Sequence, residues 1–212
     1  DKPELPELEE FREMGVYTKK AEKPRIGCEA FRADPEANPL KTPSGKIEIY
    51  SEALDQYIQT HEFADDDFVA PVPVYATEWY GVETTTDEYP LVCSGFHYRG
   101  RLHSSWGFDE QLKAANPQEA WINPVDAEER DIAQGDTIRV KNQFGEIELL
   151  AKVTGRTTPG VVCISQGAWH DADMNGDRVD KGGSINTLTT LRPSPLAKGN
   201  PQHTNICQVT KA

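Results

Sequence analysis

The sequence predicts a mainly β fold with some helix, its short strands closing into a barrel with flanking helices and long loops. Three observations predict it. Gly (16) and Pro (15) are frequent among the 212 residues, which favours many short elements joined by turns over a helical bundle. The second half of the chain carries a series of short apolar runs bounded by turn residues, with one helical crossover among them. Six or so such strands leave sticky edges unless the sheet closes on itself, and a barrel removes those edges.

Residues 1–40 are polar, acidic and Pro-rich, with PELPELEEFREMG at 3–15 as a short amphipathic helix candidate. They hold too little apolar content for a core, so they are expected to wrap over another surface as a linker from a preceding domain. Residues 41–212 are then the barrel domain. Thr42-Pro43-Ser44-Gly45 is a turn, after which Ile47 and Ile49 alternate with charges as a half-buried strand. Ser51 caps a helix with Leu54, Tyr57 and Ile58 on one face. From His61 to Glu88 the chain is an acidic, Pro-punctuated connection.

YPLVCSG at 89–95 is a short strand, and WINP at 121–124 is another. Pro124 opens a helix over 126–133 that stops at Gly135. DTIRVKNQFGEIELLAKV at 136–153 is a hairpin: Ile138 and Val140 alternate on one arm, and Ile147, Leu149, Ala151 and Val153 on the other. VVCIS at 161–165 and NICQV at 205–209 are the last two strands. Between them the stretch 166–204 has few aliphatic residues and many Gly, Asn, His and Asp. So long a loop in a compact domain points to function.

Composition removes several classes. Asp and Glu number 35 against 22 Lys and Arg, a formal charge of -13, which is the opposite of a nucleic-acid binder's balance. No apolar run reaches the roughly 18 residues of a membrane-spanning helix, so no direct membrane insertion is expected. Hydrophobic residues at 37%, with four Trp and seven Phe, suffice for a core and exclude wholesale disorder. The chain opens at Asp1 without Met, signal peptide or tag, and reads as a piece of something longer. Cys28, Cys93, Cys163 and Cys207 are far apart, and the last three sit in apolar runs that read as buried free thiols, with disulfide pairing left open. Zinc and iron–sulfur sites need closer ligand spacing.

DADMNGD at 171–177 matches the opening of a calcium loop, with Asp171, Asp173, Asn175 and the turn residue Gly176. Its twelfth position is Gly182 instead of a bidentate Glu, so a solvated acidic turn explains it better. SGFHYRGRLHSSW at 94–106 gathers Arg, His and Ser just after a strand end, where guanidinium, hydroxyl and backbone N–H groups can meet an anion. The competing explanation is a surface loop whose arginines pair with nearby carboxylates. GGSINTLTT at 182–190 and KGNPQHTN at 198–205 supply close backbone approach and side chains that both donate and accept, which suits a heteroaromatic ligand. Ordinary turn chemistry explains each of these segments taken singly.

Taken in order, TPSGKIEIYS, SGFHYRGRLHSSWG, WINPVDAEERDIAQGDTIRVKNQFGEI, PGVVCISQGAWH and DKGGSINTLTTLRPSPLAKGNPQHTN resemble the C-terminal part of the molybdopterin oxidoreductases of the dimethyl sulfoxide reductase family. The likeness is to the catalytic subunit of the anaerobic enzymes and covers roughly residues 25–212. It implies a molybdopterin dinucleotide-binding domain, a six-stranded double-psi β-barrel. It further implies that Gly95, His97, Arg101, His103, Ser104 and Ser105 contact the pterin and phosphate portions of the cofactor. Asn186 matches the pterin-binding amide, Gln202, His203 and Thr204 close on the cofactor, and Gln166 and Gly167 lie alongside.

The implied cofactor is bis(molybdopterin guanine dinucleotide) with molybdenum, and the implied parent reaction is two-electron reduction of an S- or N-oxide. The family's 4Fe-4S cysteines, molybdenum ligand and twin-arginine export signal lie upstream of such a domain, so the chain alone is expected to be inactive. Implied partners are the remaining domains of the same catalytic subunit, an iron–sulfur electron-transfer subunit and a membrane anchor subunit at the extracytoplasmic face. Two competing readings are a small-ligand or protein-binding module on the same barrel, and a hydrolase using His170 with Asp171 or Asp173. The cofactor reading requires the 97–105 loop, Asn186 and the 202–204 loop to converge on one cleft.

Overall fold

The computed structural model describes residues 5–18, 20, 23–201 and 203–212. The chain divides into two compact units, Asp1–Ser51 and Glu52–Ala212.

In the first unit α1 (Leu8–Met14) and α2 (Glu29–Ala33) bury no residue, as their composition predicts. The strand expected at 47–49 does not form, and Ile47 and Ile49 are 74% and 73% exposed. Local bonds hold this segment as a turn instead: Gly45 N–H donates to the Thr42 carbonyl at 2.9 Å, and Ser44 N–H to the Glu48 carboxylate at 2.8 Å. Alternation of two isoleucines marks a strand only where another strand can pair with it.

The second unit opens with α3 (Glu52–Thr60), whose Leu54 and Ile58 are half-buried while Tyr57 is exposed. Six strands follow, β1 (Leu91–Phe96), β2 (Glu119–Ile122), β3 (Thr137–Lys141), β4 (Glu146–Val153), β5 (Val161–Ser165) and β6 (Asn205–Lys211). They close in the order β1-β5-β2-β4-β3-β6. The pairs β1–β5 and β2–β4 are parallel and the other four antiparallel. This is the predicted six-stranded barrel with few helices. Alternate residues fill its interior: Cys93, Ile122, Ile138, Val140, Ile147 and Ile164 have no exposed surface. Each buried aliphatic side chain among them contributes about 1.5–3 kcal/mol.

Two helices depart from the sequence expectation. α4 (Glu110–Ala115) follows Asp109, whose carboxylate accepts the Gln111 and Leu112 N–H groups at 2.9 and 3.0 Å; no helix is expected there from the sequence. α5 (Pro124–Glu128) is capped by Asn123 and opened by Pro124 as expected, but ends well before Gly135. Asp131 adopts φ 51, and Ile132 N–H turns back to the Ala127 carbonyl at 2.9 Å, which stops the helix and buries Ile132. Among the cysteines, Cys93 and Cys207 are buried free thiols, and the Cys207 thiol is pushed well up by its hydrogen bond with Cys93 and by burial. Cys163 is only half-buried because it alternates outward from Val162 and Ile164.

Topology gathers the long connections at one rim. Phe96 pairs with Ser165, so the parallel strands β1 and β5 end side by side. β6 runs antiparallel to β1 and starts at Asn205, opposite Cys93. β2 runs antiparallel to β5 and begins at that rim, and the β3–β4 turn lies there because β4 is parallel to β2. The loops 97–109 and 166–204 and the turn 142–145 therefore leave the barrel at the same end.

Candidate functional site

One side chain ties the rim together. Gln118 donates to the Ser165 carbonyl at 2.8 Å and to the Gly183 carbonyl at 2.9 Å. Its amide oxygen accepts from Arg101 at 2.7 Å and from the Ser165 hydroxyl. Arg101 also donates from Nε and Nη2 to the Gln166 carbonyl, 3.2 Å each, and its guanidinium lies 4.2 Å from the Tyr98 ring centre. Burial lowers the Arg101 guanidinium from its ordinary value, with Tyr98 opposing, though an arginine stays charged at neutral pH. No carboxylate pairs with it among the described residues, so a half-buried positive charge faces only neutral groups. That differs from the loop arginine neutralised by acids that the sequence left open.

Two glycines let the loops touch. Gly167 has φ +87, and a Cβ there would stand 1.9 Å from the His103 carbonyl oxygen. A Cβ on Gly182 would stand 1.9 Å from the Trp169 carbonyl oxygen. Trp169 Nε1 donates to the Ser104 carbonyl at 2.7 Å, closing the 97–109 loop onto the 166–204 loop. Asp180, fully buried, accepts from the N–H groups of Asp171, Gly182 and Ser184 and the Thr187 hydroxyl at 2.8–3.0 Å. Asn142 donates to the Leu188 and Ile206 carbonyls at 2.8 and 3.2 Å, fastening the same loop to the hairpin turn.

The result is a cavity of about 730 Å3 whose lining includes Ser104, Trp169, His170, Ser184, Asn186 and Thr187. A second cavity of about 530 Å3, with Arg101, Lys113 and Lys181 in its wall, shares Trp169 and His170 with the first. Thus Ser104 and Asn186 line one cavity and Arg101 the adjoining one, with residues 168–170 of the long loop common to both. Asn186 is exposed, and its amide has no protein partner among the described residues. His203 Nδ1 lies 2.9 Å from the Gly95 carbonyl, which joins two further predicted residues. His97 and His103 meet with ring centres 5.5 Å apart, and His97 borders a groove on the barrel's outer wall instead of the rim cavities. Ser105 and Thr204 are held by local turns, Ser105 N–H to Leu102 and Thr204 N–H to Pro201, and line none of these cavities. Gln202 lies outside the described residues.

Among the described residues no group of three His, Cys, Asp or Glu is set to hold a metal ion, and Asp173 is spent capping the Asn175 N–H at 2.9 Å. His170 makes no hydrogen bond to a hydroxyl or carboxylate there, and the Asp171 N–H is taken by Asp180. Sequence reasoning missed Gln118, Asp180, Asn142 and Trp169. Asp180 had a usable signal, an acidic residue just before Gly182-Gly183-Ser184, the pattern of a side chain collecting turn N–H groups.

A latch holds the far side of the long loop. The Arg192 guanidinium lies 3.7 Å over the Trp79 ring and binds the carboxylates of Asp66 and Asp67. Hydrogen bonding to Arg192 holds Asp66 below the usual carboxylate range, despite some desolvation. A depressed folded value means the contribution is present above the ordinary carboxylate range and is lost as pH falls through it. In hydrogen exchange at pH 7, Arg192→Ala is expected to deprotect residues 191–201. The wild-type loop should loosen similarly only below about pH 4.

Residues 91–206 match the family model of the Molydopterin dinucleotide binding domain, and the chain belongs to that family. It is 54% identical over 213 residues to the putative dimethyl sulfoxide reductase chain YnfE of Escherichia coli (strain K12), covering 99% of this chain and 26% of the relative. It is 52% identical over 214 residues to dimethyl sulfoxide reductase DmsA of the same strain, again 99% and 26%. Trimethylamine-N-oxide reductase 1 of that strain is 36% identical over 190 residues, 86% of this chain and 22% of the relative. The chain thus spans about a quarter of the length of these curated relatives. Among solved structures, acetylene hydratase from Pelobacter acetylenicus shares the fold, with a TM-score of 0.64 and 21% identity over 84% of this chain and 25% of that one.

Proposed function

We propose that the chain is the part of a molybdenum oxidoreductase catalytic subunit that grips bis(molybdopterin guanine dinucleotide), in an enzyme that reduces S- or N-oxides. The observation that carries this reading is that, in adjoining cavities at one rim, half-buried Arg101 has no acid partner and the Asn186 amide has no partner among the described residues. These donors fit the group: a diphosphate needs cationic and N–H donors, and pterin and guanine edges need an amide that donates and accepts. The relatives' names, dimethyl sulfoxide reductase and trimethylamine-N-oxide reductase, support the substrate class.

In this reading Arg101, Ser104, Ser105 and His103 bind the phosphate side, with His97 steering from the loop's outer flank. Asn186 reads the pterin edge. Gly95, Gln166 and Gly167 hold the two loops close enough to leave no gap, and Gln202, His203 and Thr204 close over the ligand. When bound, the molybdenum centre supplies two-electron oxygen-atom transfer. The chain's own residues orient the ligand and exclude water. Residues 1–40 are the segment arriving from a preceding domain and 41–212 the binding domain. The partners are the rest of the catalytic subunit with its 4Fe-4S cluster, an iron–sulfur subunit and a membrane anchor on the extracytoplasmic face.

The test is Asn186→Ala in the full-length protein. Loss of two or more hydrogen bonds to a buried ligand edge weakens binding by about 1–3 kcal/mol. Molybdenum and guanine-nucleotide content should therefore fall together, with the melting temperature of cofactor-free protein unchanged. Undiminished content would remove the assignment.

A further inference from the structure

The outer wall of the barrel carries a separate groove of about 760 Å3. Strand alternation builds its floor. Ala120, Ile122, Ala151, Val162 and Ile164 point into the core, so Trp121, Lys152 and Cys163 point outward between them. Register then sets them in a row, with Trp121 opposite both Cys163 and Lys152, and Phe96 one strand further on. The Phe96 and Trp121 rings are 4.9 Å apart. Lys152 Nζ and the Arg156 guanidinium lie 5.3 and 4.7 Å from the Trp121 ring.

The charge of this groove opposes that of the chain. Arg99, Lys152 and Arg156 line it with Glu119 as the single acid, in a sequence of net charge -13. Lys152 pairs with Glu119 at 3.1 Å, so the excess resides on Arg99 and Arg156, which have no carboxylate partner among the described residues. Tyr98, also in this lining, has a buried hydroxyl with no hydrogen-bond partner among the described residues. A buried hydroxyl normally has one, and an occupant of the groove would supply it.

The barrel narrows what that occupant can be. β1, β5, β2 and β4 are each paired on both sides, so no strand edge is free to accept an extended peptide by main-chain bonding. A ligand here must be held by side chains, and the volume suits a small molecule. Guanidinium groups match phosphate oxygens in charge and in fork geometry. We propose that this groove binds a compact diphosphate-bearing ligand, with Arg99 and Arg156 on its charge, the Tyr98 hydroxyl donating to it and Trp121 beneath it.

The occupant is a soluble diphosphate compound distinct from the cofactor proposed for the rim, and the experiment separates the two. Sodium pyrophosphate is titrated calorimetrically into full-length protein prepared with and without cofactor, with sulfate at equal ionic strength as control. Cofactor-loaded wild type, whose rim is filled, should bind pyrophosphate at one site, and Arg99→Gln combined with Arg156→Gln should weaken it at least tenfold. Both arginines are exposed, so the melting temperature should not change. Tyr98→Phe should weaken binding a few-fold, and Asn186→Ala should leave it intact. Binding that persists in loaded protein supports the groove as a separate site; binding abolished by loading would place pyrophosphate in the cofactor's own diphosphate site and overturns the proposal. Absence of binding, equal affinity for sulfate, or unchanged affinity in the double variant overturns the proposal. The molybdenum content of Asn186→Ala bears on the rim reading alone.

Discussion

Alanine at Gly167 should open the rim. The position has φ +87, and the new methyl would sit 1.9 Å from the His103 carbonyl oxygen, with His103 carbon atoms at 2.3 and 3.0 Å. Those are backbone atoms, so no rotamer change relieves the contact. The left-handed conformation alone costs an L-residue about 1–2 kcal/mol. Displacing the 97–109 loop adds a comparable overpacking cost, roughly 1–3 kcal/mol. Gly135 provides the control. It has φ +82 but nothing within 4 Å of where a methyl would go, so its alanine variant bears the conformational cost without the clash. The full-length Gly167→Ala protein should lose most of its molybdenum and melt several degrees lower. Gly135→Ala should keep its molybdenum. Equal cofactor content in the two variants would show that contact between these loops does not shape the site.

The barrel was legible because its signal is local and repeated. Ile138, Val140, Ile147, Leu149 and Ala151 alternate without interruption, and the turn between the arms is Asn142–Gly145, so face and pairing follow from spacing. Ile47 and Ile49 show the limit of that signal, since alternation says nothing about whether a second strand is available. The site divides in the same way. Arg101, Ser104 and Asn186 stood out because their types suit an anion or a heteroaromatic edge. Gln118 did not, because its importance comes from contacts to residues 101, 165 and 183, far away in sequence. The resemblance could propose residues to face a ligand. It could not show the amide that fixes Arg101, nor that His97 borders the outer groove.

Asp180→Ala is expected to be the most destabilising single change in the barrel unit. The carboxylate is completely buried, and four donors converge on it: the N–H groups of Asp171, Gly182 and Ser184 and the Thr187 hydroxyl. The backbone at Asp180 also extends the sheet, its N–H donating to the Glu146 carbonyl and its carbonyl accepting from Glu148, each at 3.0 Å. Removing the side chain takes the shared acceptor from four donors, a cost of about 3–5 kcal/mol. In a unit of this size that lowers the melting temperature by roughly 6–20 °C. Asp180→Asn separates shape from charge: it keeps the volume and one accepting oxygen, but its amide nitrogen would face donors and so forfeits two of the four bonds. Both variants should therefore melt far below wild type, while Asp173→Asn in the exposed turn should stay within about 0.5 kcal/mol. Because Asp180 holds the turn that delivers Asn186 to the rim, cofactor content should fall even at temperatures where the variant remains folded. An Asp180→Asn protein with wild-type melting and wild-type molybdenum would mean that the turn holds itself, and that the carboxylate is not what positions Asn186.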